Sequence, residues 1–307
     1  MMCSAALAPA AHAGAYLRDF QTYQSQTSAS TFPVRTLLTG CPPGKIAFGT
    51  GASALPGASG PTVTGIGLHR MWLTGAPVGP GVLLSAVEAD PESFSWLLFA
   101  QVQCAALTDT PPSVAGGGPY VKNVTVVSSV SARNSITPKD VTASCGAKQS
   151  IGGGFGAING TPTGPAHVAV RRGVRLENGF RAEAHETDAT GASWSLSVYA
   201  ICADVTHRGP GYVSSIYSAQ QVTPVNSSDK VLVASCPSTH RTIGGGAEVL
   251  GANATSLPPG DVVLTSSRPT YINGVGTGWI AAANEEDPIS SNWHLRVRVV
   301  CGAPVAS

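Results

Sequence analysis

The chain has 307 residues, of which 43% are hydrophobic and only 11% charged, with a formal net charge of +1. A chain of this length holds two or three ordinary domains or one large β assembly. So balanced a charge offers no bulk attraction to nucleic acid or to an acidic membrane surface, and both are set aside as partners. Its 36 glycines and 23 prolines predict many turns and few helices.

Residues 1–13 are small and apolar and end in Ala11-His12-Ala13 before Gly14, the Ala-x-Ala form of a signal-peptidase site. The run is short and has no basic n-region, so it is read as a truncated signal peptide or else a disordered tail. Nowhere else does an apolar run reach the length of a membrane-crossing helix, so no membrane span is expected.

From Gly14 onward the chain repeats itself. Cys104 and Cys202 are 98 residues apart, and Cys202 and Cys301 are 99 apart. Eight residues before each stands a tryptophan: Trp96, Trp194 and Trp293. Sixteen residues before each stands a glutamate, followed two residues on by an aspartate: Glu88 and Asp90, Glu186 and Asp188, Glu285 and Asp287. The front halves repeat as well. Tyr16, Tyr120 and Tyr212 precede Cys41, Cys145 and Cys236, and glycines follow each of these cysteines: Gly49 and Gly51, Gly152 to Gly154, Gly244 to Gly246. The modules are therefore residues 14–109, 110–208 and 209–307, joined by Gly/Pro-rich stretches at 115–119 and 207–211.

Within each module the last two elements read most clearly. A strand ends at the glutamate, as in Trp279, Ala281, Ala283 and Glu285, or Phe180, Ala182, Ala184 and Glu186, or Val82, Leu84, Ala86 and Glu88. After a short turn, a second strand alternates strictly from tryptophan to cysteine, as in Trp293, Leu295, Val297, Val299 and Cys301. This is a half-buried antiparallel hairpin with its cysteine on the core face. β-Branched runs at 124–128 and 231–234 supply further strands. The expected fold is all-β: three tandem antiparallel β-sandwich-like modules, or alternatively one pseudo-threefold, β-prism-like assembly.

Six of the seven cysteines form repeating pairs, which predicts the disulfides Cys41–Cys104, Cys145–Cys202 and Cys236–Cys301 and an oxidising, extracellular location. In the chain-entropy picture each such loop contributes about 4 kcal/mol at most. The span from first cysteine to glutamate varies between copies, so insertions and any recognition are expected in the connections there.

The segments Val233 to Pro237, Gly244 to Gly246, Ser267 to Pro269, Gly278-Trp279 and Trp293 to Cys301 resemble a repeat of secreted bacterial proteins of unassigned function. The resemblance covers residues 14–307 and implies no catalytic residues. The first copy departs from it at Thr50, which interrupts the glycines, and at Val82, which replaces an aromatic residue. Cys41-Pro42-Pro43-Gly44 is similar to the vitelline membrane outer layer proteins, which implies the β-prism alternative.

Several side chains are candidates for chemistry. The Glu-x-Asp pairs could offer oxygen ligands to calcium, making Glu88, Asp90, Glu186, Asp188, Glu285 and Asp287 metal candidates. The competing structural role is acceptance of turn N–H groups by the glutamate and an Asx-turn at the aspartate. Otherwise no cofactor is expected. Arg171, Arg172 and Arg175 suggest a contact with an anionic glycan, against a plain solvated strand face. Trp72 has no counterpart in the other copies and is the surface candidate for stacking on a sugar. The histidines lack zinc spacing and no Gly-x-Ser-x-Gly elbow occurs, so no enzyme is expected. The leading expectation is a secreted, non-catalytic cell-surface or extracellular protein binding glycans or other surface components through variable loops. A structural envelope or coat component is second, and a carboxylate-dependent hydrolase third.

Overall fold

The computed structural model describes residues 16–57, 65–74, 80–89, 93–108, 122–159, 167–189, 191–204, 216–226, 228–253, 262–272, 275–287 and 289–302. These form strands and turns, with no helix among them. Module one contains β1 (Tyr16–Gln26), β2 (Val34–Gly40), β3 (Lys45–Pro56), β4 (Ile66–Thr74), β5 (Gly81–Glu88) and β6 (Trp96–Thr108). Module two contains β7 (Lys122–Val130), β8 (Lys139–Ser144), β9 (Gln149–Ile158), β10 (Val168–Leu176), β11 (Gly179–Glu186) and β12 (Ser195–Asp204). Module three contains β13 (Ile216–Val222), β14 (Lys230–Ser235), β15 (Arg241–Gly251), β16 (Val262–Ile272), β17 (Val275–Glu285) and β18 (Trp293–Gly302).

Every module splits into two antiparallel halves. In module one β6 lies between β1 and β3, and β5 lies between β2 and β4. The same two triplets recur in the other copies. The sequence's period of two is visible in burial: along β18, Trp293, Leu295, Val297 and Val299 are buried while His294, Arg296 and Arg298 are half-buried. The three disulfides form as expected, with Cα–Cα distances of 5.6, 5.5 and 5.7 Å. Each ties the end of a module's second strand to its sixth, so it joins the two halves of the sandwich.

The modules are not independent. The fourth strand of each pairs with the third strand of the next: β4 with β9, β10 with β15, and β16 back to β3. Three six-stranded antiparallel sheets result, each half from one module and half from another. One pairing of Tyr16 with Lys122 links two of them edge to edge. The two architectures expected from sequence are thus combined: sandwich-like modules closed into a pseudo-threefold ring around one continuous apolar core. At its centre the three fourth strands converge. A Cβ built on Gly67 would lie 2.4 Å from Cβ of Ala169 and 3.4 Å from Cβ of Val263, so only the smallest residue fits there.

The glycine triplets have a packing cause. Gly153 faces the Phe180 ring and Gly245 the Trp279 ring, where an added Cβ would sit 2.4 and 2.3 Å from ring atoms. In module one the equivalent positions are Thr50 and Val82, as the strand registers show. The two departures noted in the first copy are therefore one: a smaller side chain on the fifth strand leaves room for a larger one on the third.

Candidate functional site

The repeated glutamates are bound to the repeated tryptophans. Indole Nε1 donates to Glu Oε1 at 2.6 Å in Trp96–Glu88, 2.8 Å in Trp194–Glu186 and 2.7 Å in Trp293–Glu285. The glutamate ends one strand of the hairpin and the tryptophan begins the other, which accounts for their constant separation of eight residues. A cation from the second strand lies over each indole: Arg35 at 5.3 Å, Lys139 at 4.7 Å and Lys230 at 4.0 Å from the ring centroid. The tryptophan backbones bridge to Ser30, Asn134 and Asn226. Burial lowers the pKa of Arg35, Lys139 and Lys230, and the facing glutamate partly offsets it.

This clasp leaves the Glu-x-Asp pairs in unlike surroundings. In module three Glu285 Oε2 also accepts from Ile289 N at 3.3 Å, the kind of turn contact expected for it. Asp188 is exposed and meets His167 at 3.0 Å, Asp287 is exposed, and Asp90 lies outside the described residues. Among the described residues no three His, Cys, Asp or Glu side chains group as metal ligands would.

Arg171, Arg172 and Arg175 of module two are buried rather than on a solvated strand face. Arg171 and Arg172 are buried and both reach the fully buried Glu183, at 2.6 and 3.3 Å. Arg172 also meets Glu248 of module three at 3.1 Å, which Arg296 and Arg298 approach from the other side at 3.3 and 3.1 Å. Arg181 pairs with Asp140, which raises its pKa. Of these pairs, Arg172–Glu248 crosses the seam between modules two and three, while Arg171 and Arg181 pair within module two. Their sequence signal was the cluster itself; Glu183 and Glu248, far apart in the chain, gave none.

Arg175 differs. Its hydrogen bonds go to Ser150 O (2.7 Å), Ser218 Oγ (2.9 Å) and Glu177 O (3.4 Å), none of them a carboxylate. Burial brings its pKa down to about 10; the nearby Glu177 carboxylate opposes this and Arg298 adds to it. It lines a cleft of about 380 Å³ between modules two and three, with Arg298, Ser218, Gln220, Gln149 and Glu177. Trp72, by contrast, is half-buried against the core and meets Tyr199 edge-on, with centroids 5.1 Å apart. It packs the seam between modules one and two and is not a free surface ring.

Equivalent positions across the three sheets carry different chemistry. One sheet shows Leu38, Leu83 and Trp72, then Tyr199. The next shows Thr142, Arg181 and Val174, then Arg298. The third shows Val233, Ile280 and Arg268, then Gln101. No protein-family model matches the chain, and no curated protein matches it. No helix of the described residues is long and apolar enough to cross a membrane.

Proposed function

We propose that the chain is a secreted, non-catalytic extracellular or cell-surface protein whose disulfide-locked scaffold binds a ligand, with glycans as the class. The observation carrying this reading is a division of labour. Residues repeated in all three copies make internal contacts: cysteine with cysteine, glutamate with tryptophan, cation with indole. Equivalent exposed positions differ from sheet to sheet, with Leu38 in one, Thr142 in the next and Val233 in the third, as in a scaffold diversified for recognition. Three disulfides in one chain favour an oxidising compartment. Against catalysis stands the engagement of each repeated glutamate by an indole donor. A glycan array probed with the folded, oxidised protein is the test. Binding to a defined glycan set is expected; no binding, with assembly into large particles, would overturn it.

One feature favours the second reading, a coat component. Edge strand β14 exposes Val231 and Val233, 66% and 41% accessible, beside unpaired backbone groups. Under the binding reading the protein stays monomeric in sedimentation at working concentrations, and Val231→Lys changes nothing.

A further inference from the structure

The three seams of the ring are equivalent by register, so each shows what the others could have been. Between modules three and one, the Tyr271 hydroxyl points at Thr22 and Gln103, the counterparts of Ser218 and Val300. Between modules one and two, the place of Arg298 is taken by the fully buried Tyr199, which packs against Trp72. Aromatic side chains fill both. Between modules two and three, Glu177 stands at the position of Tyr271 and is exposed, and a cleft of about 380 Å³ is left.

We infer that this cleft is a binding site for an acidic sugar, its carboxylate or sulfate held by Arg175 and Arg298. This rests on the binding reading above and names its site and ligand class. Two guanidiniums at one cleft favour an anion, and the planar fork of arginine suits a carboxylate or sulfate oxygen pair. Arg175 is fixed in place by three neutral acceptors, and the exposed Glu177 carboxylate acts on it through space without a hydrogen bond among those three. Arg298 keeps one contact to Glu248, and its side chain is 31% exposed. Ser218, Gln220 and Gln149 supply hydroxyl and amide groups for a hydroxylated body rather than an apolar one. The volume lies at the lower end for small-ligand sites, enough for one or two sugar rings. Glu177 at the rim would repel a second acidic group and so favours a singly charged sugar terminus.

The test is calorimetric titration of the full, oxidised chain at low salt with a uronic-acid oligosaccharide, a sulfated oligosaccharide, a neutral one of equal length, and sodium acetate and sulfate. The expected result is saturable binding of one or both acidic sugars, weaker by about tenfold or more in 0.5 M salt. Arg298→Gln, which leaves Glu248 paired with Arg172 and Arg296, should weaken it about tenfold or more with the unfolding midpoint retained. Glu177→Tyr, which copies the aromatic plug of the neighbouring seam, should abolish it. Acidic-sugar binding indifferent to both variants would overturn the cleft as the site while leaving a glycan-binding role intact. Acetate or sulfate binding as tightly as the sugars would overturn the sugar assignment. Binding of no glycan at all would overturn the inference together with the reading beneath it.

Discussion

Modules two and three solve one position in opposite ways. Glu183 lies on the fifth strand between Arg172 and Asp140; at the equivalent place in module three, Ala282 lies between Ser266 and Val231. The bulge beside it holds Arg171 in one module and Thr265 in the other. One copy buries a charged network; the other has uncharged residues there, with Thr265 and Ser266 buried, Ala282 half-buried and Val231 exposed, on the same backbone. A buried ion network adds little net stability over apolar packing, because desolvation offsets attraction, but it cannot be dismantled one member at a time. Whichever solution a copy adopts, its members must therefore change together.

Glu183→Ala breaks this contrast most directly. It removes the carboxylate that Arg171 and Arg172 share and should cost about 3–5 kcal/mol in denaturant unfolding. Changing all three, Arg171→Thr, Arg172→Ser and Glu183→Ala, copies module three into module two. It should recover most of that loss; a triple variant as unstable as the single one would show that the solutions are not interchangeable.

The same bulge in module one holds His69, which is buried and donates from Nδ1 to Val168 O at 2.9 Å. Burial lowers its pKa to about 4. A histidine depressed in the folded state leaves stability intact above its unfolded pKa, about 6.5, and costs it as pH falls toward 4. The loss should approach about 3 kcal/mol across that window. His69→Thr, the module-three residue, should flatten this part of the stability–pH curve.

A third difference is steric. Gly245→Thr puts the module-one residue beneath Trp279, where no space exists, and should cost about 1–3 kcal/mol. Combining it with Trp279→Val should cost less than the sum of the two single changes. Thr50→Gly, the reverse change in module one, meets no clash and should cost about 1 kcal/mol from backbone freedom.

The clasp shows how far the sequence could be read. The constant eight-residue step from Glu88 to Trp96, and its two repeats, was visible, and so was the core phase of both residues. That the carboxylate meets the indole, under a cation from the second strand, was not visible, because Arg35, Lys139 and Lys230 lie far back in each copy. Trp72 and Arg175, both read as candidates for contact with a sugar, parted for a similar reason. Trp72 became seam packing and Arg175 the wall of a cleft, each through contacts with the following module.

The amino-acid sequence alone determined the three copies, their strand phases and their disulfide pairs. Those features rest on short-range periodicity and on cysteine spacing. Only the tertiary structure decided that β4, β10 and β16 each join the next module's sheet, and that a cleft lies at the seam between modules two and three. Strands join through backbone hydrogen bonds that nearly every residue can make, so their partners leave little mark in the sequence. The shape of a seam follows from side chains drawn together from two modules, and no single stretch of chain contains it.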